Sequence, residues 1–204
     1  MSVDAASGLP LDRVLEGERA RLEPLTEDHV PALVEVGMHP DIWRWMPKRV
    51  HDAAGMQAYV EEALAERDRG AALPFATVDR STNRVVGTTR FGAVALENRR
   101  AEIGWTWLTP DARRTGINVE AKRLMLAFAF EELGLRRVEF KTDARNERSR
   151  IAIEAIGASL EGIFRKHMVT GDGGVRDSAY YSIIDDEWPE VARRLDRRMG
   201  REPS

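Results

Sequence analysis

The chain has 204 residues, 43% of them hydrophobic, with 31 basic and 34 acidic side chains and a formal net charge of −3. That supports one mixed-layer domain with a proper core and gives no electrostatic reason to expect a nucleic-acid partner. The absence of cysteine excludes disulfides, thiolate nucleophiles and cysteine-ligated metals.

Residues 1–17 and 200–204 read as tails around a single domain at 18–199. Ala20-Arg21-Leu22-Glu23 alternates as a short strand ending at Pro24, and Thr26-Glu27-Asp28 supplies a cap and two acids for a helix that buries Val30, Leu33 and Val34 and stops near Gly37. His39 to Pro47 is a proline-bounded loop holding Trp43 and Trp45. From Asp52 to Arg69, the spacing of Met56, Tyr59, Val60, Ala63 and Leu64 predicts an amphipathic helix. Pro74 to Asp79 and Arg84 to Phe91 form a predicted hairpin around Arg80-Ser81-Thr82-Asn83, and Arg100 to Leu108 is a third strand. Val119 to Leu133 reads as a helix buried against a sheet and stopped by Gly134.

Arg136 to Thr142 is then a strand, and Ser149 to Ile156 a short helix ended by Gly157. Leu160 to Val169 and Arg176 to Ile184 pair around Gly171-Asp172-Gly173-Gly174, and a last helix buries Trp188, Val191 and Leu195. This order gives an α+β, mixed α/β class. No segment approaches the roughly 20 apolar residues that span a bilayer, and Met1 to Pro10 lacks the pattern of a signal peptide. The expectation is a soluble, cytoplasmic protein.

The loop Thr109-Pro110-Asp111-Ala112-Arg113-Arg114-Thr115-Gly116-Ile117-Asn118 feeds a helix N-terminus. Unpaired N–H groups, the helix dipole, a glycine and two arginines suit a pyrophosphate; a tight connection with solvated arginines is the alternative on spacing alone. The four histidines lack metal-site spacing and carboxylate support, so no metal is expected. Phosphate-binding loops of the Gly-x-x-x-x-Gly-Lys-Ser/Thr and Gly-x-Gly-x-x-Gly types are absent.

Arg113-Arg114-Thr115-Gly116-Ile117-Asn118 resembles the Gln/Arg-x-x-Gly-x-Gly/Ala motif of the GNAT superfamily of N-acetyltransferases, with Asn118 in place of the last Gly or Ala. Ala101-Glu102-Ile103-Gly104-Trp105 resembles the family's fourth strand. Asn146-x-x-Ser149 resembles the start of its fourth helix. Gly157-Ala158 and Glu161-Gly162 resemble steps of the Rim-type branch, the ribosomal-protein N-terminal acetyltransferases.

The resemblance implies a mostly antiparallel sheet of six to seven strands with splayed fourth and fifth strands. It also implies acetyl-CoA as co-substrate, held by the 113–118 loop, by the backbone of Trp105, Trp107 and Leu108, and by Asn146 and Ser149, with an Asx turn or helix cap before Ser149 as the alternative for Asn146. The acceptor would be a primary amine on a protein N-terminus or a small molecule, and the acyl group acetyl or larger. Leu108 N–H is the candidate donor to the thioester carbonyl. Glu102 is a candidate base, with a solvated strand glutamate as the alternative, and by alternation it shares a face with Gly104 and Thr106.

The family's acid tyrosine, seven residues after the asparagine, is replaced by Ile153, which leaves Ser149 or Tyr181 for that role. Trp43, Trp45, Arg165 and His167 are candidates for acceptor binding, with core packing as the alternative for at least one tryptophan; Arg176 and Asp177 read as cross-strand pairs. A homodimer is compatible with an exposed strand or the tryptophan loop. The rival from another class is a non-catalytic acyl-CoA-binding regulatory module on the same fold.

Overall fold

The computed structural model describes residues 8–170 and 173–201. Among them, strands β1 (Leu15–Glu16), β2 (Ala20–Pro24), β3 (Leu73–Asp79), β4 (Arg84–Ala95), β5 (Arg100–Leu108), β6 (Arg137–Asp143), β7 (Ser159–Val169) and β8 (Val175–Ile184) form one eight-stranded sheet in the order β1-β2-β3-β4-β5-β6-β8-β7. Every neighbouring pair is antiparallel except β5 and β6. The helices are α1 (Val30–Gly37), α2 (Pro40–Trp43), α3 (Ala53–Asp68), α4 (Ile117–Ala127), α5 (Glu147–Ala155) and α6 (Trp188–Arg198). A π-helical turn at Phe128–Glu132 extends α4.

Two apolar clusters sandwich the sheet. On one face Phe75, Phe91, Ile103, Val138, Phe140 and Tyr181 pack against Met125 and Phe128, Ile153 of α5, and Val191 and Leu195 of α6. Each such side chain contributes roughly 1.5–3 kcal/mol by leaving water. On the other face Leu33, Ile42, Trp43, Met56, Tyr59 and Val60 gather over Ala76 and Trp107. This second cluster draws no described residue from β6, β7 or β8. That half of the face carries Lys141, Tyr180, Ser178 and Ser182 instead, and it is where a polar substrate has room to approach.

Two irregularities in β5 position the site. Arg90 of β4 pairs with Gly104 and Thr88 with Trp107, so Trp105 and Thr106 together oppose one residue, and Trp105 takes a left-handed φ of 49°. This bulge breaks the alternation on which Glu102 and Thr106 were expected to share a face. Ahead of the bulge, β5 and β6 pair only at Arg100↔Arg137, Ala101↔Val138 and Glu102↔Glu139. From Ile103 to Leu108 the edge of β5 facing β6 has no strand partner among the described residues, which is the expected splay; the short β1 moves it one place along the strand count.

Other expectations are corrected. Residues 8–17 are no loose tail, because Leu9 and Leu15 are buried and β1 pairs with β2; residues 1–7 and 202–204 lie outside the described residues. So do Gly171 and Asp172 of the last turn. The sheet has eight strands rather than six to seven. The proline-bounded tryptophan loop contains a helical turn, α2, whose N-terminus is capped by His39 Nδ1 accepting from Asp41 N at 3.3 Å.

Candidate active site

The loop between β5 and α4 builds an anion cradle. Gly116 adopts φ 93° and Arg114 φ 64°, and the first helical bond of α4 runs from Glu120 N to Gly116 O at 3.0 Å. The N–H groups just before Glu120 therefore have no helical carbonyl to bond and point out of the helix end. A side chain at Gly116 would be strained at that φ and would meet Arg19 Nη1 at 2.8 Å. Around this turn lies a cavity of about 370 Å³ lined by Arg19, Arg114, Thr115, Gly116 and Arg198 among others. Three exposed guanidiniums and a helix N-terminus converge there, and a diphosphate matches that donor set. Arg19 and Arg198 come from β2's approach and the end of α6, so proximity in sequence could not reveal them.

Arg113 differs from its expected role as counter-charge. Its Nε donates to Leu108 O at 3.2 Å and its Nη1 to Asp41 Oδ2 at 2.6 Å. Asp41 also accepts from Arg148 of α5 at 3.3 Å, and Arg113 with Arg148 holds the Asp41 carboxyl below its usual range. Arg113 is thus a brace joining the loop, α2 and α5. Asn118 lies inside the first turn of α4, so the left-handed positions fall to Arg114 and Gly116 and no special backbone is asked of the asparagine.

The bulge brings Trp105 over the Arg90 guanidinium, 4.0 Å from ring centroid to Cζ. Arg90 is buried, ion-paired with Glu66 at 3.1 Å, and its Nε has no hydrogen-bond partner among the described residues. Trp107 is core, packed against Trp43 at 5.5 Å, and as the hydrogen-bonded partner of Thr88 it turns its backbone toward β4, so it leaves the cofactor group, whereas Leu108 turns its backbone to the splay. Trp43, 2% exposed and donating Nε1–H to Gly37 O at 2.7 Å, is also core and leaves the acceptor group. Trp45 remains half-exposed beside Arg44 and Arg145, at 5.1 and 5.5 Å from its ring centroid.

Glu102 is 4% exposed and paired with Lys141 Nζ at 2.7 Å. Burial raises its carboxyl pKa despite the pull of Lys141. The ammonium also sits 5.7 Å from the Trp105 ring centroid. From there a polar chain runs outward: Tyr180 Oη lies 3.2 Å from His167 Nε2, His167 Nδ1 lies 3.1 Å from Ser178 Oγ, and Arg176 Nε donates to Ser178 Oγ at 3.1 Å. Phe164 stacks on Tyr180 at 4.3 Å. Burial, with Lys141 and Arg176, lowers the His167 pKa.

His167 therefore joins the Glu102 group, whereas Arg165 is exposed on β7 outside it. Among the described residues Arg176 and Asp177 form no charged cross-strand pair: Arg176 is buried against Ser178, and Asp177 accepts from Lys166 N at 2.6 Å.

Tyr181 points to the other face. Its buried hydroxyl donates to Glu154 at 2.9 Å and accepts from Arg150 at 3.0 Å, which removes it from the Glu102 side. Tyr180, the neighbour with opposite orientation, occupies the cleft. Asn146 caps α5 by accepting from Ser149 N at 3.2 Å, with Ser149 half-buried in the first turn. Ile153 is buried in the core. Among the described residues no group of three His, Cys, Asp or Glu could hold a metal, and no helix is long and apolar enough to cross a membrane.

The family profile described as acetyltransferase (GNAT) domain matches residues 19–159. A crystal structure of a GCN5-related N-acetyltransferase from Brucella melitensis superposes with a TM-score of 0.83 at 30% identity, covering 92% of this chain and 86% of that one. YoaA, an uncharacterized N-acetyltransferase of Bacillus subtilis, is 28% identical over 84% of this chain and 96% of its own length. YdaF of the same organism, provisionally named a ribosomal N-acetyltransferase, is 40% identical over 45% of this chain and 49% of its own.

Proposed function

The chain belongs to the GNAT acetyltransferase family, and from that premise we propose that it moves an acetyl group from acetyl-CoA directly to a primary amine, with a protein N-terminus as acceptor. The observation that carries this reading is the splay itself: a strand edge without a partner, Ile103 to Leu108, opens between the arginine-lined helix N-terminus and the buried Glu102–Lys141 pair.

The donor set fits the co-substrate. Arg19, Arg114, Arg198 and the N–H groups at the start of α4 take the phosphates, Asn146 and Ser149 line the α5 side, and the backbone of Trp105 and Leu108 takes the pantetheine amides. Bound there, acetyl-CoA supplies an activated thioester. Leu108 N–H donates to the acyl oxygen as negative charge develops on it, which costs no reorganisation in a preformed strand. Glu102 removes the proton of the attacking amine, and the burial that raises its carboxyl pKa makes it a stronger base than an ordinary glutamate. Trp45, Trp105, Tyr180 and His167 frame the amine's approach. The naming of YdaF supports the N-terminal acceptor.

Calorimetry with acetyl-CoA, on the protein and on a Gly116→Asp/Arg114→Ala variant, tests the first half; free-thiol release with N-terminal peptides and small amines tests the second. Micromolar binding lost in the variant, with release on a peptide, is the expected result. Absence of binding by the intact protein would overturn the reading, and release with small amines alone would move the acceptor class.

A further inference from the structure

Lys122 lies on the side of α4 packed against the sheet, 6% exposed. Its Nζ donates to Thr106 Oγ1 of β5 at 2.6 Å and to Thr89 Oγ1 of β4 at 3.0 Å. Thr89 Oγ1 also lies 3.6 Å from Met125 Sδ. Two threonines and a methionine are the surroundings: among the described residues no carboxylate, histidine or second cation on α4, β4 or β5 faces the amine, and burial alone lowers its pKa to about 7. A buried amine without counter-charge is costly. A leucine or methionine would fill the same volume at no such cost, so packing gives no reason for a lysine.

Its position supplies one. Thr106 is half-exposed on the stretch of β5 that lacks a β6 partner, immediately after the bulge. The bulge turns Thr106 toward α4, while Glu102 and Trp105 face the opposite cleft. A substrate spanning the splay therefore meets a base on one face of β5 and a hydroxyl backed by an ammonium on the other. Ile153, in the core, offers no proton at the place where the family's tyrosine would stand.

We propose that Lys122 is the proton source for the departing thiolate, acting through the Thr106 hydroxyl. The inference rests on the acetyl-transfer reading above and completes it. The amine lone pair forms the new C–N bond and the C–S bond breaks with its electrons on sulfur. Thr106 Oγ1–H, otherwise directed at Thr89 Oγ1 (2.8 Å) or Gly104 O (3.3 Å), gives its proton to sulfur and takes one from Lys122. Glu102 holds the proton lost by the amine and releases it to solvent, and Lys122 recovers one from solvent. An ammonium that titrates near 7 is a stronger acid than a thiol of pKa about 8.5, so the transfer runs downhill. Lys122 is a positioning residue here, since Thr106 makes the contact.

The test uses the full chain. Nitrogen-15 NMR of its lysines, with Lys122 assigned by Lys122→Met, should give a titration midpoint near 7. In steady state, Lys122→Met and Thr106→Val should each lower kcat on the order of 100-fold while the KM for acetyl-CoA moves less than about threefold. Thr106→Ser should restore kcat, and the fall of kcat above pH 7 should vanish in Lys122→Met. Should Lys122→Met fail to fold, the Thr106→Val and Thr106→Ser pair carries the kinetic test and Lys122→Arg the assignment. A Lys122 midpoint at the ordinary lysine value, or kcat in Thr106→Val within about threefold of the parent, would overturn the proposal. Calorimetric failure of acetyl-CoA to bind is a different result, and it would sink the acetyl-transfer reading first.

Discussion

Glu102 and Thr106, four residues apart on β5, point to opposite faces of the sheet, Glu102 toward Lys141 of β6 and Thr106 toward Lys122 of α4. A regular strand would put both on one side. The left-handed Trp105 makes the difference, and it lets one strand carry proton chemistry on both sides of a ligand threaded past its edge.

Replacing Glu102 by Gln should lower kcat/KM by about 10²–10⁴-fold and leave acetyl-CoA affinity unchanged. Because the carboxylate is the working form and burial raises its pKa, the acid limb of kcat/KM should sit above that of an ordinary glutamate. Lys141→Met removes the charge that opposes the rise, so it should push the limb to still higher pH; a limb moving downward would contradict the assignment.

The phosphate cradle should respond to salt. Arg19→Ala and Arg198→Ala should each weaken acetyl-CoA binding by about 3- to 10-fold, as expected for exposed charges, and should flatten the decline of affinity with ionic strength. Calorimetry at two salt concentrations measures both.

The two adjacent tyrosines should behave oppositely. Tyr181→Phe leaves Glu154 and Arg150 without their partner and should cost about 1 kcal/mol of stability with little change in turnover. Tyr180→Phe breaks the contact with His167 in the cleft and should raise the acceptor KM while the denaturation midpoint holds. Urea unfolding and acceptor titrations on both variants distinguish them.

Lys122 should give stability a pH slope. Its folded pKa of about 7 lies below that of an unfolded lysine, so between those values the unfolded chain binds more protons and stability rises with pH. Lys122→Met should abolish that slope. The gap between variant and parent should open by on the order of 4 kcal/mol as pH falls from roughly 10 to 7, and stay constant below.

Periodicity carried the helices and strands because their buried faces follow backbone geometry, as in Met56 to Leu64 and Arg100 to Leu108. The short pairing of Leu15 with Leu22 is too brief to leave a period. Where local geometry departs from the average, alternation misleads: it assigned Thr106 to the face of Glu102 because nothing in the letters Gly-Trp-Thr announces a left-handed tryptophan. Tyr181 was a candidate because a pair of strand tyrosines leaves orientation open by one residue. Arg19, Arg198 and Lys122 reach the site only through tertiary packing, and Arg113 looked like a phosphate ligand because its partner Asp41 lies in another element.

The three residue pairs joining β5 to β6 are the only strand pairing between the two halves of the sheet among the described residues. The molecule is in this sense a book with a narrow spine. A ligand lodged in the gap would act as binding thread, adding hydrogen bonds where strand pairing stops. Amide exchange along Ile103 to Leu108 and Phe140 to Asp143 should then slow together on saturation, and the two leaves should melt as one unit instead of in sequence.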